Sequence, residues 1–285
     1  MTPAEIKHVS DTALWVAHYR ARESQRPDAL FQDRLAGMLV GDRGPAIAAA
    51  LDRAFRYIEW SVVMRTSIID RLLRTLVGEG VDTVINLGAG LDTRPYRLDL
   101  PPSLRWIEVD HPSVIAHKET ALRAETPGVK LERIALDLAD VSARDALFAR
   151  LGAESSKAVV LTEGVIPYLT EDQVASLAAS LHAQRAFQFW ITEYFAPQMY
   201  RHFRSRRRQA HLRNAPFVFF PPEWFAFFRA HGWAPREVAY LAEESIRVGR
   251  EMPLPLWARM LLKISPADKV QAHRRLAGFA VYTKV

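Results

Sequence analysis

An α/β chain with a mostly parallel, seven-stranded sheet is what the sequence predicts, on three observations. Short β-branched apolar runs alternate with helical stretches after residue 80, two glycines end the first run, and a carboxylate ends the second. The first eighty residues carry helical periodicity instead. Asp11 can cap a segment containing Leu14, Val16 and Ala17, Pro27 and Asp28 can open another through Leu39, and Pro45 precedes a run with apolar positions at Ile47, Leu51, Phe55 and Ile58. Strands are then expected over residues 83–87, 104–109, 129–136, 158–162 and 187–193, with helices over 110–125, 142–151 and 170–181. The last of these helices is opened by Thr170 and Gln173 at capping-box spacing. Residues 222–231 read as a helix, and 233–240 and 276–284 as the strands that complete the sheet. The expected organisation is one domain: an N-terminal helical lid over 1–80, and a core over 81–285 with a helical insert at about 197–232.

The first strand runs through Val84, Ile85, Asn86 and Leu87 into Gly88, Ala89 and Gly90, then Leu91, Asp92, Thr93 and Arg94. Glycines there let the backbone turn sharply and approach a ligand that a Cβ would push away. Asp110 ends the second strand 22 residues beyond Gly88. An acid at that distance can accept the protons of both ribose hydroxyls, which is the signal of an adenosine cofactor. A dinucleotide site wants a third glycine where this chain has Thr93, and Asp92 would repel a diphosphate. The same carboxylate would attract an ammonium or sulfonium, so the loop suits S-adenosyl-L-methionine better than NAD. An ordinary strand-to-helix turn is the plainer alternative, and Asp110 argues against it.

Ligands of open α/β sheets bind beyond the carboxyl ends of the strands. That rule collects Asp110, Asp137 with Leu138, Glu163, and Glu193 with Tyr194. Each acid alone could be a helix cap; together they support a site.

Composition narrows the function classes. There is no cysteine among the 285 residues, which excludes disulfides, thiolate metal sites and a cysteine nucleophile, and the nine histidines show no zinc-ligand spacing. No window approaches the roughly 20 apolar residues a membrane span needs, and the N-terminus has no apolar signal core, so a cytoplasmic protein without a membrane partner is expected. The formal net charge is +6, concentrated in residues 200–213, which hold six arginines. That run is a solvated helix face, a wall for an acidic substrate, or a contact to a phosphate backbone.

These residues resemble the S-adenosylmethionine-dependent methyltransferases of the leucine carboxyl methyltransferase family, in particular bacterial relatives linked to polyketide O-methylation. The resemblance rests on residues 86–94, on Glu108, Val109 and Asp110 followed by Pro112 and Lys118, and on residues 161–169 at the fourth strand. Residues 64–70 resemble the family's arginine-bearing helix, and 22–31 the N-terminal segment of its bacterial branch. The resemblance implies a Rossmann-like class I methyltransferase fold with Arg65 on the cofactor's carboxylate. It also implies Gly88 and Gly90 along the methionine chain, with Ala89 and Asp92 of the same loop in the cofactor site, Asp110 on the ribose, Asp137 and Leu138 around the adenine, and Glu163 near the ammonium. It assigns no catalytic residue and requires no metal. For the acceptor, Tyr168, Tyr194, Arg201, His202 and residues 217–220 are pocket candidates, although the aromatic run is most simply core packing. A small-molecule carboxylate or hydroxyl is the favoured acceptor. An RNA methyltransferase using Arg206, Arg207 and Arg208, and a non-catalytic adenosine-ligand sensor, stay open.

Overall fold

The computed structural model describes residues 9–51, 57–205 and 214–285. Its strands are β1 (Thr83–Leu87), β2 (Arg105–Asp110), β3 (Lys130–Ala135), β4 (Ala158–Thr162), β5 (Phe187–Phe195), β6 (Trp233–Tyr240) and β7 (Ala277–Lys284). They form one sheet in the order β3-β2-β1-β4-β5-β7-β6. Neighbours from β3 to β5 run parallel, and β7 pairs antiparallel with both β5 and β6. The chain winds from β1 outward through β2 and β3, then returns to lay β4 on the other side of β1, so the topological switch lies between β1 and β4.

Alternation along the strands divides the core. Ile85, Leu87, Ile107, Val109 and Val160 face one side with Phe148, Leu181, Trp190, Phe228 and Trp233. Val84, Trp106, Leu161 and Ile191 face the other, against Met64, Ile68, Ile69 and Leu72 of α4 (Ile58–Gly78). The central strands β1 and β4 are buried on both faces, as their unbroken apolar character predicts. Three shorter helices precede α4: α1 (Val9–Ser24), α2 (Arg34–Val40) and α3 (Arg43–Leu51). Ala17, Leu35, Ala36 and Leu39 from α1 and α2 cluster with Leu91, so the N-terminal helices rest directly on the glycine loop.

After the loop come α5 (Arg94–Arg97), α6 (Pro112–Ala121), α7 (Val141–Glu154) and α8 (Glu171–Ala183). Thr170 closes the predicted capping box on α8 with Gln173. Two N-terminal expectations are corrected. Asp11 lies inside α1, and the helix expected from Pro27 starts only at Arg34, capped by Asp33, which accepts from Ala36 N at 3.0 Å. Asp28 does not cap because its carboxylate is taken by Arg26. Residues 197–232, expected as a helical insert, contain α9 (Tyr200–Phe203) and α10 (Trp224–Ala230), and the arginines at 206–208 and 213 lie outside the described residues. Three helices that the sequence reading did not identify follow β6: α11 (Leu241–Arg247), α12 (Leu256–Ile264) and α13 (Ala267–Arg274). Among the described residues no helix is long and apolar enough to cross a membrane.

Candidate functional site

A cleft of about 1020 Å³ opens at the carboxyl ends of β1 to β4, where the topology predicts a ligand. Its polar end is the loop after β1. Gly88 and Gly90 have φ values of +67° and +47°, in the left-handed region that a side chain disfavours. The loop is pinned to the tip of β2: the Gly88 and Ala89 amides donate to Val109 O, and Gly90 N donates to Asp110 Oδ2 at 2.7 Å. The other Asp110 oxygen accepts from His111 N at 2.7 Å. Both carboxylate oxygens are therefore oriented by the backbone and keep further lone pairs for a ligand. Asp137 accepts from Ala139 N at 2.9 Å and, with Leu138, lines the same end of the cleft.

Beneath the loop lies a buried charge network. Arg94, only 2% exposed, places Nε 2.7 Å from Asp70 Oδ1 and Nη1 2.8 Å from Asp92 Oδ2 and 2.7 Å from Glu163 Oε2. Glu163 is bridged on its other side by Arg65, whose Nε lies 2.7 Å from Oε1. Burial pushes the Glu163 carboxyl up, but Arg94 and then Arg65 outweigh it and hold the group below the usual carboxylate range. Asp92 behaves likewise: burial opposes its charge, and Arg94 first, then Lys118 and Arg20, keep it ionised. Arg97 reaches Asp70 at 2.6 Å, and Arg20 joins Asp33 at 2.9 Å to Leu91 O at 2.6 Å. That last contact ties α1 to the loop. Asn86 Nδ2 donates to Asp92, while Asn86 Oδ1 is buried with no hydrogen-bond partner among the described residues.

The opposite end of the cleft is apolar and aromatic. Tyr168, Phe195, Met199, Phe203 and Phe217 line it, with Trp15, Trp60 and Leu241 nearby. Burial pushes the Tyr168 hydroxyl to about 12, against a hydrogen bond with Thr12, so it stays protonated at neutral pH. Behind this wall Glu193 is 3% exposed. It accepts from the Gly164 amide and from Thr192 Oγ1, yet burial raises its carboxyl to about 7. A carboxyl raised in the folded state binds its proton more tightly than the unfolded chain does, so it removes stability as pH rises from 4.5 to about 7. The expected loss over that window is on the order of 3 kcal/mol. Glu193→Gln should flatten it; urea midpoints measured between those limits that fall equally in both proteins would contradict this.

Of the residues selected from sequence, Arg65, Gly88, Ala89, Gly90, Asp92, Asp110, Asp137, Leu138, Glu163, Tyr168 and His202 meet in this one cleft. Tyr194 and Arg201 do not. Alternation along β5 turns Phe195 to the cleft and Tyr194 away, where it stacks on Phe225 at 4.7 Å, and Arg201 is solvent-exposed. Asp92 reaches the cleft wall, but Arg94 and Asn86 occupy its oxygens, so its charge is met inside the protein. Of residues 217–220 only Phe217 lines the cleft; Phe219 is core, edge-on to Trp224. The sequence reading missed Arg94, Asn86 and Arg20. The signal for Arg94 was present in the loop, since an arginine two residues after Asp92 in a buried turn needs an acid partner.

Among the described residues no cluster of three or more His, Asp or Glu is placed to hold a metal ion. The leucine carboxyl methyltransferase family model matches residues 13–182. A Streptomyces coelicolor protein named for S-adenosyl-L-methionine-dependent methyl transfer is 36% identical over 187 residues, covering 61% of this chain and 65% of that protein. A similarly named Mycobacterium avium protein is 30% identical over 272 residues, covering 86% of this chain and 85% of its own. In fold, the chain is similar to a DUF574 family protein from Streptomyces avermitilis, with a TM-score of 0.59 at 14% identity over 88% of this chain and 96% of the other. A Thermobifida fusca structure described as a methyltransferase gives a TM-score of 0.55 at 18% identity, over 88% and 93% of the two chains. The family match extends over more than half of the sequence and takes in the loop, the strand tips and the arginine-bearing helix. This chain belongs to the leucine carboxyl methyltransferase family.

Proposed function

We propose that the protein is an S-adenosyl-L-methionine-dependent O-methyltransferase acting on the carboxylate or hydroxyl of a small molecule by in-line displacement. The observation that carries this reading is one cleft with two chemically different ends: charged strand tips and close backbone on one side, an aromatic wall on the other. Pockets for single ligands span about 300–1,000 Å³, and a volume at the top of that range leaves room for donor and acceptor together.

The residues at the polar end fit the cofactor. No hydrogen bond among the described residues engages the terminal nitrogens of Arg65, which are free to fork onto a carboxylate. The unpartnered Asn86 Oδ1 and the adjacent Glu163 accept from an ammonium. Asp110 accepts from ribose hydroxyls with its remaining lone pairs, and Asp137 with Leu138 flanks the adenine. When bound, the cofactor supplies an activated methyl carbon on a good leaving group. The aromatic wall then serves mainly to orient the acceptor oxygen and exclude water, and alignment supplies much of the rate. A carboxylate acceptor needs no base at neutral pH, whereas a hydroxyl acceptor would draw on His202; Tyr168, being protonated, donates a hydrogen bond.

Asp110→Ala and Arg65→Ala are each expected to weaken cofactor binding tenfold or more, on the order of 1.4 kcal/mol. Unchanged calorimetric affinity in both variants would sink these assignments. The acceptor class is tested by incubating the protein with labelled cofactor and a panel of carboxylic acids, phenols and RNA. Transfer to acids or phenols supports the proposal; transfer to RNA alone, or binding without transfer to anything, contradicts it.

A further inference from the structure

Helix α12 carries an apolar stripe that the fold leaves uncovered. Leu256, Trp257, Met260, Leu261 and Ile264 are 72%, 70%, 66%, 54% and 81% exposed, and nothing among the described residues packs over them. At 3.6 residues per turn they fall within an arc of roughly 140°. The other side of the helix is the one held by the protein: Ala258 and Leu262 are half-buried, and Leu262 lines the cleft. Arg259 and Lys263, one turn apart, flank the stripe. Five large, exposed apolar side chains on a nine-residue helix are far more than scattered surface hydrophobes.

The charge around the stripe selects what covers it. The helix itself carries two cations, Arg259 and Lys263, and no acid. Elsewhere most arginines among the described residues are paired, yet no ion pair among those residues engages Arg259 or Lys263. A second copy docked through the same face would bring this cationic rim against itself. An anionic lipid leaflet attracts the rim and accepts the stripe, with Trp257 suited to the headgroup boundary and the lysine and arginine stems reaching outward. The nine-residue helix is too short to span a bilayer but of the composition that lies along its surface.

We propose that α12 docks the protein onto an anionic lipid surface. Because Leu262 faces the cleft from the inner side of the same helix, docking brings the cleft wall within one helix diameter, about 10 Å, of the lipid. On the methyl-transfer reading above, and resting on it, that placement suits an amphiphilic acceptor held in the bilayer.

The test is co-sedimentation of the whole protein with vesicles of equimolar phosphatidylcholine and phosphatidylglycerol, and with phosphatidylcholine alone. Binding to the anionic vesicles that weakens as salt rises is the expected result. The double variant W257E/M260E should lower partitioning at least about tenfold while leaving cofactor affinity and circular dichroism unchanged, since neither side chain lines the cleft. R259E/K263E should abolish the preference for the anionic vesicles. Failure of the native protein to bind anionic vesicles overturns the proposal, as does equal binding by W257E/M260E. So does a native dimer that this variant converts to monomer without any lipid binding. The readout needs no methyl transfer, so its failure leaves the enzymatic reading standing, and loss of that reading leaves the docking measurable.

Discussion

Replacing Arg94 by alanine is expected to cost the fold about 3–5 kcal/mol, the range for removing one partner of a buried ion pair. The guanidinium is 2% exposed and holds Asp70, Asp92 and Glu163 at 2.7 to 2.8 Å. Without it Asp92 keeps Asn86, one backbone donor and the weaker pull of Lys118 and Arg20, Glu163 keeps Arg65, and Asp70 keeps Arg97 alone among the described residues. Arg94→Lys should rescue little, because one ammonium cannot fork toward three carboxylates from different elements. The pH dependence distinguishes this cause from simple loss of packing. In the native protein Asp92 and Glu163 are held below their ordinary values of 3.8 and 4.5, so their contribution is present above those values and is lost as pH falls through the lowered ones. In Arg94→Ala the main opposing charge is gone and burial counts for more, so both carboxyls rise from their native values, protonation becomes easier and the gap to the native protein narrows on acidification. Urea titrations at neutral and acid pH read both effects; a gap that is constant with pH would mean that the arginine acts through packing alone.

That network also marks what one-dimensional reading can reach. The strands, the Thr170 cap and the loop were legible because period, capping and turn chemistry are local, and β1, β4 and α8 begin and end within a few residues of their expected limits. Asp110 was legible because a strand tip at a fixed distance from a glycine turn is a geometric necessity of the βαβ unit. The partners of Arg94 were not, since Asp70 and Glu163 lie 24 and 69 residues away and an arginine in an unfamiliar sequence is taken as exposed. Asp92 illustrates the consequence: the carboxylate lines the cleft, but its counterion comes from within the protein. Tyr194 failed for a subtler reason. β5 continues to Phe195, and on a period of two the neighbouring residue takes the cleft side. The exposed stripe of α12 was not legible, although Leu256, Met260 and Ile264 have i, i+4, i+8 spacing, because periodicity alone does not separate an apolar face that packs on the core from one left to solvent.

Gly88→Ala is expected to lower cofactor affinity by more than tenfold, and its cause can be divided by experiment. Two penalties act on the new Cβ. The φ of +67° is left-handed, which costs a non-glycine residue roughly 1–2 kcal/mol. The Cβ would also stand 2.5 Å from Val165 Cγ2, well inside contact distance, and a β-branched valine has little rotamer freedom with which to withdraw. Val165 itself lines the cleft, so whichever of the two yields, the cofactor side of the wall moves. Val165→Ala removes the colliding methyl and leaves the valine Cβ position, 3.8 Å away, in ordinary contact. In the double variant Gly88→Ala/Val165→Ala the overlap disappears and the backbone cost stays, so affinity should return part of the way and exceed that of Gly88→Ala alone. Calorimetry on the four proteins of this cycle is expected to give a favourable coupling of about 1 kcal/mol, the size seen for residues in direct contact. Additive effects within about 0.3–0.5 kcal/mol would mean that the two residues do not meet at the cofactor and that the glycine is required for its backbone conformation alone.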